Sequence, residues 1–160
     1  MSVWPALAGG FAGTLVLTTI LRTASEFHPT RIDLPFLLGT AITADRARAK
    51  AIGYVAHFVM GLIFALGYYA LFLALGRHDW WLGALFGLGQ GLFAGTVLIN
   101  VLLPLVHPRM GTPFSDAGTV ALLEPPGFMA RNYGLQTPVV SLIAHVAYGT
   151  IIAVFLSLAR

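Results

Sequence analysis

Four stretches of this chain are apolar for about the length of a bilayer crossing, and that constrains everything else about it. Residues 3–21, 51–75, 81–106 and 138–159 each approach or exceed the roughly 20 residues that a spanning helix needs. Charged residues make up only 9% of the sequence, whereas soluble domains carry roughly a quarter. Such a chain cannot cover a water-facing surface with charge, so lipid is its expected solvent. The four stretches use most of the 160 residues, which predicts a single transmembrane domain over 1–160 and an all-α, polytopic four-helix bundle. The first stretch lacks the Lys/Arg-rich start of a signal peptide, and Gly9, Gly10 and Gly13 suit a packed helix better. There is no cysteine, which excludes disulfides and thiolate metal sites.

The basic residues set an orientation. Arg22, Arg31, Arg46, Arg48 and Lys50 fall between the first two spans, and Arg109 and Arg131 between the last two. Only Arg77 and Arg160 lie on the other side. By the positive-inside rule both long connections are cytoplasmic and both termini outside, as in a bacterial inner-membrane protein. Trp4, Trp80 and Trp81 fit an aromatic belt at the outer boundary. These few cations at helix ends do not suggest nucleic acid as a partner.

Phe-Ala-Gly-Thr occurs at 11–14 and again at 93–96. His28-Pro29 is matched by His107-Pro108, and Pro35-Phe36 by Pro113-Phe114. Ala56-His57-x-x-x-Gly61-x-Ile63-x-Ala65 is matched by Ala144-His145-x-x-x-Gly149-x-Ile151-x-Ala153. The shared words keep their order, at offsets of 82, 79, 78 and 88. The reading is two copies of a two-helix unit, about 3–76 and 81–160, inserted the same way up. That predicts parallel repeats about an axis along the membrane normal.

In lipid, helices associate by close packing over small residues. Gly83, Gly87, Gly91 and Gly95 form such a stripe. Gly53 and Gly61 flank His57, and Ser141 and Gly149 flank His145, so both histidines are expected to point into the bundle. Counting residues from the helix ends puts Thr14, His57, Thr96 and His145 in one polar layer, with Gln90 and Asn100 as further polar positions. An ionisable residue inside a membrane is a functional-site hypothesis by default. The bland alternative is that each histidine only bonds a neighbouring helix. The sharper one is a ligand pair for haem b or a metal ion; imidazole is a common haem ligand, and adjacent glycine makes room for a macrocycle.

The connections hold a second group: His28, His107, Asp33, Glu124 and Arg131, with Glu26, Arg31, Arg109 and Asp116 close in sequence. A carboxylate beside histidine suits acid–base work; headgroup-level capping and pairing is the plainer reading. The apolar run 33–44 is expected as a short segment at the membrane surface, with Asp45 capping the next helix, and 114–123 as another short surface helix. No GxSxG, HExxH or phosphate loop is present, so no enzyme class is nominated.

The runs IDLPFLLGT, RARAKAIGYVAHFVMGLIFAL, HPRM, EPPGFMARNYG and TPVVSLIAHVAYG together resemble a group of small, uncharacterised four-helix integral membrane proteins of bacteria. The most specific pieces are Glu124-Pro125-Pro126-Gly127-Phe128 with Tyr133-Gly134, and His145 with Tyr148-Gly149. The resemblance implies a His-Gly pair in the third span, where this chain has Gln90-Gly91. It implies a location and a fold, but no reaction. Three functions are thus open: a non-catalytic accessory or assembly subunit of a membrane complex, a haem- or metal-binding bundle using His57 and His145, and a small-solute or proton transporter acting as an oligomer. Lipid is the common partner, with other subunits or self-association expected beside it.

Overall fold

The computed structural model describes residues 2–111 and 122–159. It is an all-α bundle: α1 (Trp4–Glu26), α2 (Leu34–Ile42), α3 (Arg46–Leu75), α4 (Trp80–Val106) and α5 (Thr137–Leu158). A short 3-10 turn, Phe128–Tyr133, precedes α5. The helix ends follow from local chemistry. Pro5 and Pro138 sit in first turns, where no amide partner is lost. Asp33 caps α2 by accepting from the Phe36 amide (3.1 Å), and Asp45 caps α3 through Ala47 (2.9 Å). Gly76, at φ 63°, ends α3 in the left-handed conformation.

Helices α1, α3, α4 and α5 are each long and apolar enough to cross a membrane. Their outward faces expose Phe11, Leu15, Val55, Val59, Ile63, Leu85, Val139 and Ile143. Satisfied backbone and an apolar exterior are what a bilayer requires of a spanning structure. One end of the bundle carries Trp4, Trp80 and Trp81; the other carries α2, the first turns of α3 and most of the cations. We call these the tryptophan end and the basic end.

Glycine decides which helices touch. Gly10 of α1 faces Ala65 of α3, and Gly61 of α3 faces Thr14 of α1. Gly9 and Gly13 seat α1 on Ile152 and Tyr148 of α5. Gly83 and Gly87 of α4 lie against the carbonyls of Gly149 and His145, so close that a Cβ on either would collide with backbone. The order around the bundle is therefore α3, α1, α5, α4. Helices α3 and α4 face each other across a wider gap, bridged by side chains: Tyr68 donates to Gln90 Oε1 (2.8 Å), and Phe86 packs on Tyr68 and Phe72. Equating α1 with α4 and α3 with α5 pairs the close α1–α5 contact with this gap, so the observed packing is not two-fold symmetric.

Helix α2 does not lie flat at the surface. Gly39 backs onto Ala49 and Gly53 onto Pro35, a pairing that runs α2 antiparallel beside the first turns of α3. The 30 residues of α3 reach ~45 Å, longer than a bilayer core, so α2 flanks the end that carries Arg46, Arg48 and Lys50.

Residues 94–102 of α4 are π-helical. Pro104 follows two residues later; it has no amide to give and its ring crowds the carbonyl of Asn100. Widening the turns before it relieves that crowding. The expected surface helix at 114–123, the Pro113-Phe114 word and Asp116 fall largely or wholly outside the described residues.

Candidate functional site

The gap between α3 and α4 holds a half-open cavity of about 220 Å3. Its walls are mostly aliphatic and aromatic, including Leu17, Leu34, Leu38, Phe64, Leu98 and Ile99. Polar groups enter at few points: His57 of α3, Gln90 of α4, His145 and Tyr148 of α5, and Thr14 of α1, with the thioether of Met60 beside them in the wall. The expectation that both histidines face the interior is met. Their levels agree as well. The Tyr148 hydroxyl donates to the Gly61 carbonyl, tying α5 to α3. His145 lies three residues before Tyr148 and His57 four before Gly61 on helices that run the same way. Both imidazoles thus sit about one turn to the basic side of that bond.

The polar layer differs from its sequence-derived form. Thr14 is buried at 1% exposure, but its hydroxyl donates to Gly10 of its own helix (2.7 Å), and it fills the space left by Gly61. The partner of His57 is Thr18, one turn along α1, at 3.1 Å. Thr96 donates to Leu92 within α4 (2.7 Å) and is not part of the cavity wall. The π-helical turns carry it off the layer and leave Gly95 facing Met129 of the connection. The two Phe-Ala-Gly-Thr words therefore serve different neighbours, Tyr148 at Gly13 and Met129 at Gly95.

Hydrogen bonding fixes the histidine tautomers. Thr18 gives its only hydroxyl proton to the Thr14 carbonyl (2.6 Å), so His57 Nδ1 must donate to the Thr18 oxygen. His145 Nδ1 faces the Ser141 carbonyl at 2.8 Å, and a carbonyl only accepts. In the neutral form each Nε2 then carries a lone pair. Among the described residues no buried side-chain nitrogen or oxygen is left without a partner, so neither Nε2 is sealed in apolar packing.

A second hollow, about 300 Å3, opens between α1, the start of α2 and α3 at the basic end. Its rim carries two ion pairs, Arg22–Glu26 (3.0 Å) and Lys50–Asp33 (2.7 Å), with Ser25 and Tyr54 between them. Thr18 and His57 form part of its inner wall. His57 belongs to both hollows; Thr18 belongs only to this outer one. The Nδ1 edge of the His57 ring therefore turns to the vestibule, which leaves Nε2 for the inner side.

The group in the connections does not assemble into one site. His28 is exposed, in the left-handed region at φ 69°. His107 is buried: Nε2–H donates to the Leu37 carbonyl (3.1 Å), and Nδ1 accepts from the Arg109 amide (3.1 Å). It pins the end of α4 to α2, helped by Arg109 donating to the Thr40 carbonyl (2.6 Å). Burial holds its pKa below the usual histidine value, and nearby Arg109 adds to that, against the opposing pull of the Leu37 bond. Asp33 caps α2 and pairs with Lys50 at the vestibule rim, while Glu124 meets Arg31 at 3.5 Å and Arg131 is exposed. Among the described residues no three His, Cys, Asp or Glu side chains converge on a point that could hold a metal ion.

Sequence reasoning missed Thr18, Met60 and Tyr54, and noted Tyr148 only as part of a motif beside His145. Thr18 had a usable signal, since it lies one turn beyond Thr14 on the same face of α1. Met60 had one too, at i+3 from His57.

Comparison of the chain with protein-family models, with curated proteins and with solved structures finds no match. What fold and site define is a class: a helical bundle with four candidate membrane-spanning helices, consistent with a multi-pass membrane protein, with a half-open, largely apolar cavity into which two histidines face.

Proposed function

We propose that this chain is a non-enzymatic integral protein of the bacterial inner membrane that admits a small solute from the cytoplasmic side into an intramembrane binding cavity. In this reading the basic end is cytoplasmic and both termini are outside. The observation that carries it is the position of His57, in the wall of both the charged vestibule and the inner cavity. Ion pairs at the rim keep the vestibule wet, and the imidazole stands between water and the aliphatic interior. At about 220 Å3 the cavity is below the size of typical drug-sized pockets, which favours a small solute over a porphyrin.

The absence of native cysteine gives a direct test. Leu98→Cys places a thiol on the cavity wall. In inside-out vesicles it should react with a small, membrane-impermeant thiol reagent. Adding His57→Trp should slow that reaction at least tenfold. A thiol that stays unreactive, or reacts equally with the tryptophan present, overturns the reading.

The accessory-subunit reading rests on a narrower observation. The glycine stripes are consumed inside the bundle, but a Cβ at Gly67 or Gly89, in α3 and α4, would meet nothing within 4 Å. These positions suit close approach by a further helix, from another subunit or a second copy. Gly67→Leu or Gly89→Leu would abolish a co-purifying partner in mild detergent if either is such a contact; a lone monomer in the parent protein argues against it.

A further inference from the structure

Resting on the reading of the cavity as a solute site, we infer that its ligand is a soft monovalent cation of the Cu(I) type, held by His57, Met60 and His145. His57 and Met60 stand three residues apart on α3, hence on one helical face, and both line the cavity. His145 lines the same cavity from α5, level with His57 through the Tyr148–Gly61 bond.

The donor chemistry narrows the ligand. Each imidazole spends Nδ1–H on its own support and keeps the Nε2 lone pair. A thioether completes the set. Imidazole and thioether together favour copper, and thioether selects its reduced state over hard divalent ions. Charge narrows it further. No carboxylate lines this cavity, so whatever charge enters stays uncompensated. The cost of placing an ion in a low-dielectric interior grows with the square of its charge, ~4-fold more for a divalent than a monovalent ion. Neutral donors in an apolar cavity therefore discriminate for one positive charge.

The test is Cu(I) alone, added anaerobically to the purified protein in competition with a chromogenic Cu(I) chelator, with Ag(I) as a redox-inert second probe. One Cu(I) per chain should be retained. X-ray absorption should report two nitrogen ligands and one sulfur. Met60→Leu keeps the apolar volume and should weaken retention at least tenfold, with loss of the sulfur signal. His57→Gln and His145→Gln should each remove retention, and Zn(II) should not compete. Complete transfer of Cu(I) to the chelator overturns the inference, as does undiminished retention by the Met60→Leu protein, or equal binding of Zn(II). The thiol-accessibility test is independent of metal. A reactive Leu98→Cys blocked by His57→Trp, together with no Cu(I) retained, would sink the cation and leave the solute site standing; an unreactive thiol would sink the solute site.

Discussion

At the scale of single residues, two buried threonines four apart on α1 do different work. Thr14 bonds only its own helix, while Thr18 accepts from His57 across the helix interface. Replacing Thr18 with valine removes the oxygen that fixes the imidazole; it should cost about 1 kcal/mol, typical of an interhelical hydrogen bond in a membrane. Thr14→Val should cost less, since it preserves the shape that fills the Gly61 recess. Reversible unfolding in mixed micelles measures both, and the idea fails if Thr14→Val proves the costlier. Nitrogen NMR of the Thr18→Val protein should show His57 losing its single Nδ1–H tautomer. The histidines were legible in the sequence because ionisable groups in apolar runs are rare. Their partners were not, because a threonine side chain reaches either its own helix or the next one, and only packing decides which.

Among elements, the decisive contacts are glycine against backbone. A methyl group at Gly53 would strike the Pro35 carbonyl, and one at Gly87 the His145 carbonyl. Gly53→Ala and Gly87→Ala should each destabilise the fold by on the order of 1–3 kcal/mol, the usual cost of overpacking. Gly67→Ala, with open space around it, should be neutral or slightly stabilising in the monomer. Comparable losses at all three sites would contradict this packing scheme. The docking of α2 on the end of α4 should respond to pH. His107 is held neutral by burial, so its folded pKa lies below its unfolded value near 6.5. Between those two values the unfolded chain binds more protons, so stability is full above about pH 6.5 and falls as the pH drops toward the folded pKa. Protonation would also set an Nδ1–H against the Arg109 amide that it now accepts from. The thermal midpoint should fall between pH 7.5 and 5, and His107→Gln should flatten that slope. An unchanged slope would remove His107 as the cause. The four spans and the caps at Asp33 and Asp45 could be read from apolar length and capping chemistry. The upright stance of α2 could not, because it rests on Gly39 meeting Ala49 and Gly53 meeting Pro35 once the two helices pack; the π-helical stretch had a local signal in Pro104, whose ring crowds the carbonyl of Asn100.

The whole molecule carries four candidate membrane-spanning helices, and in the proposed orientation both termini lie on the side opposite the long connections. Arg131 is exposed in the connection before α5. Arg131→Cys should react with impermeant thiol reagents only from the cytoplasmic face, and Ser2→Cys only from the other. The opposite pattern would invert the proposed orientation. The repeated words suggested a two-fold symmetric packing, and one interface of the bundle does not follow it. The gap between α3 and α4 is spanned by Tyr68, Phe72, Phe86 and Gln90. Parting α3 from α4 would therefore take only rearranged rings and one broken Tyr68–Gln90 bond, whereas opening any other side of the bundle means pulling glycine away from the helix it was made to touch.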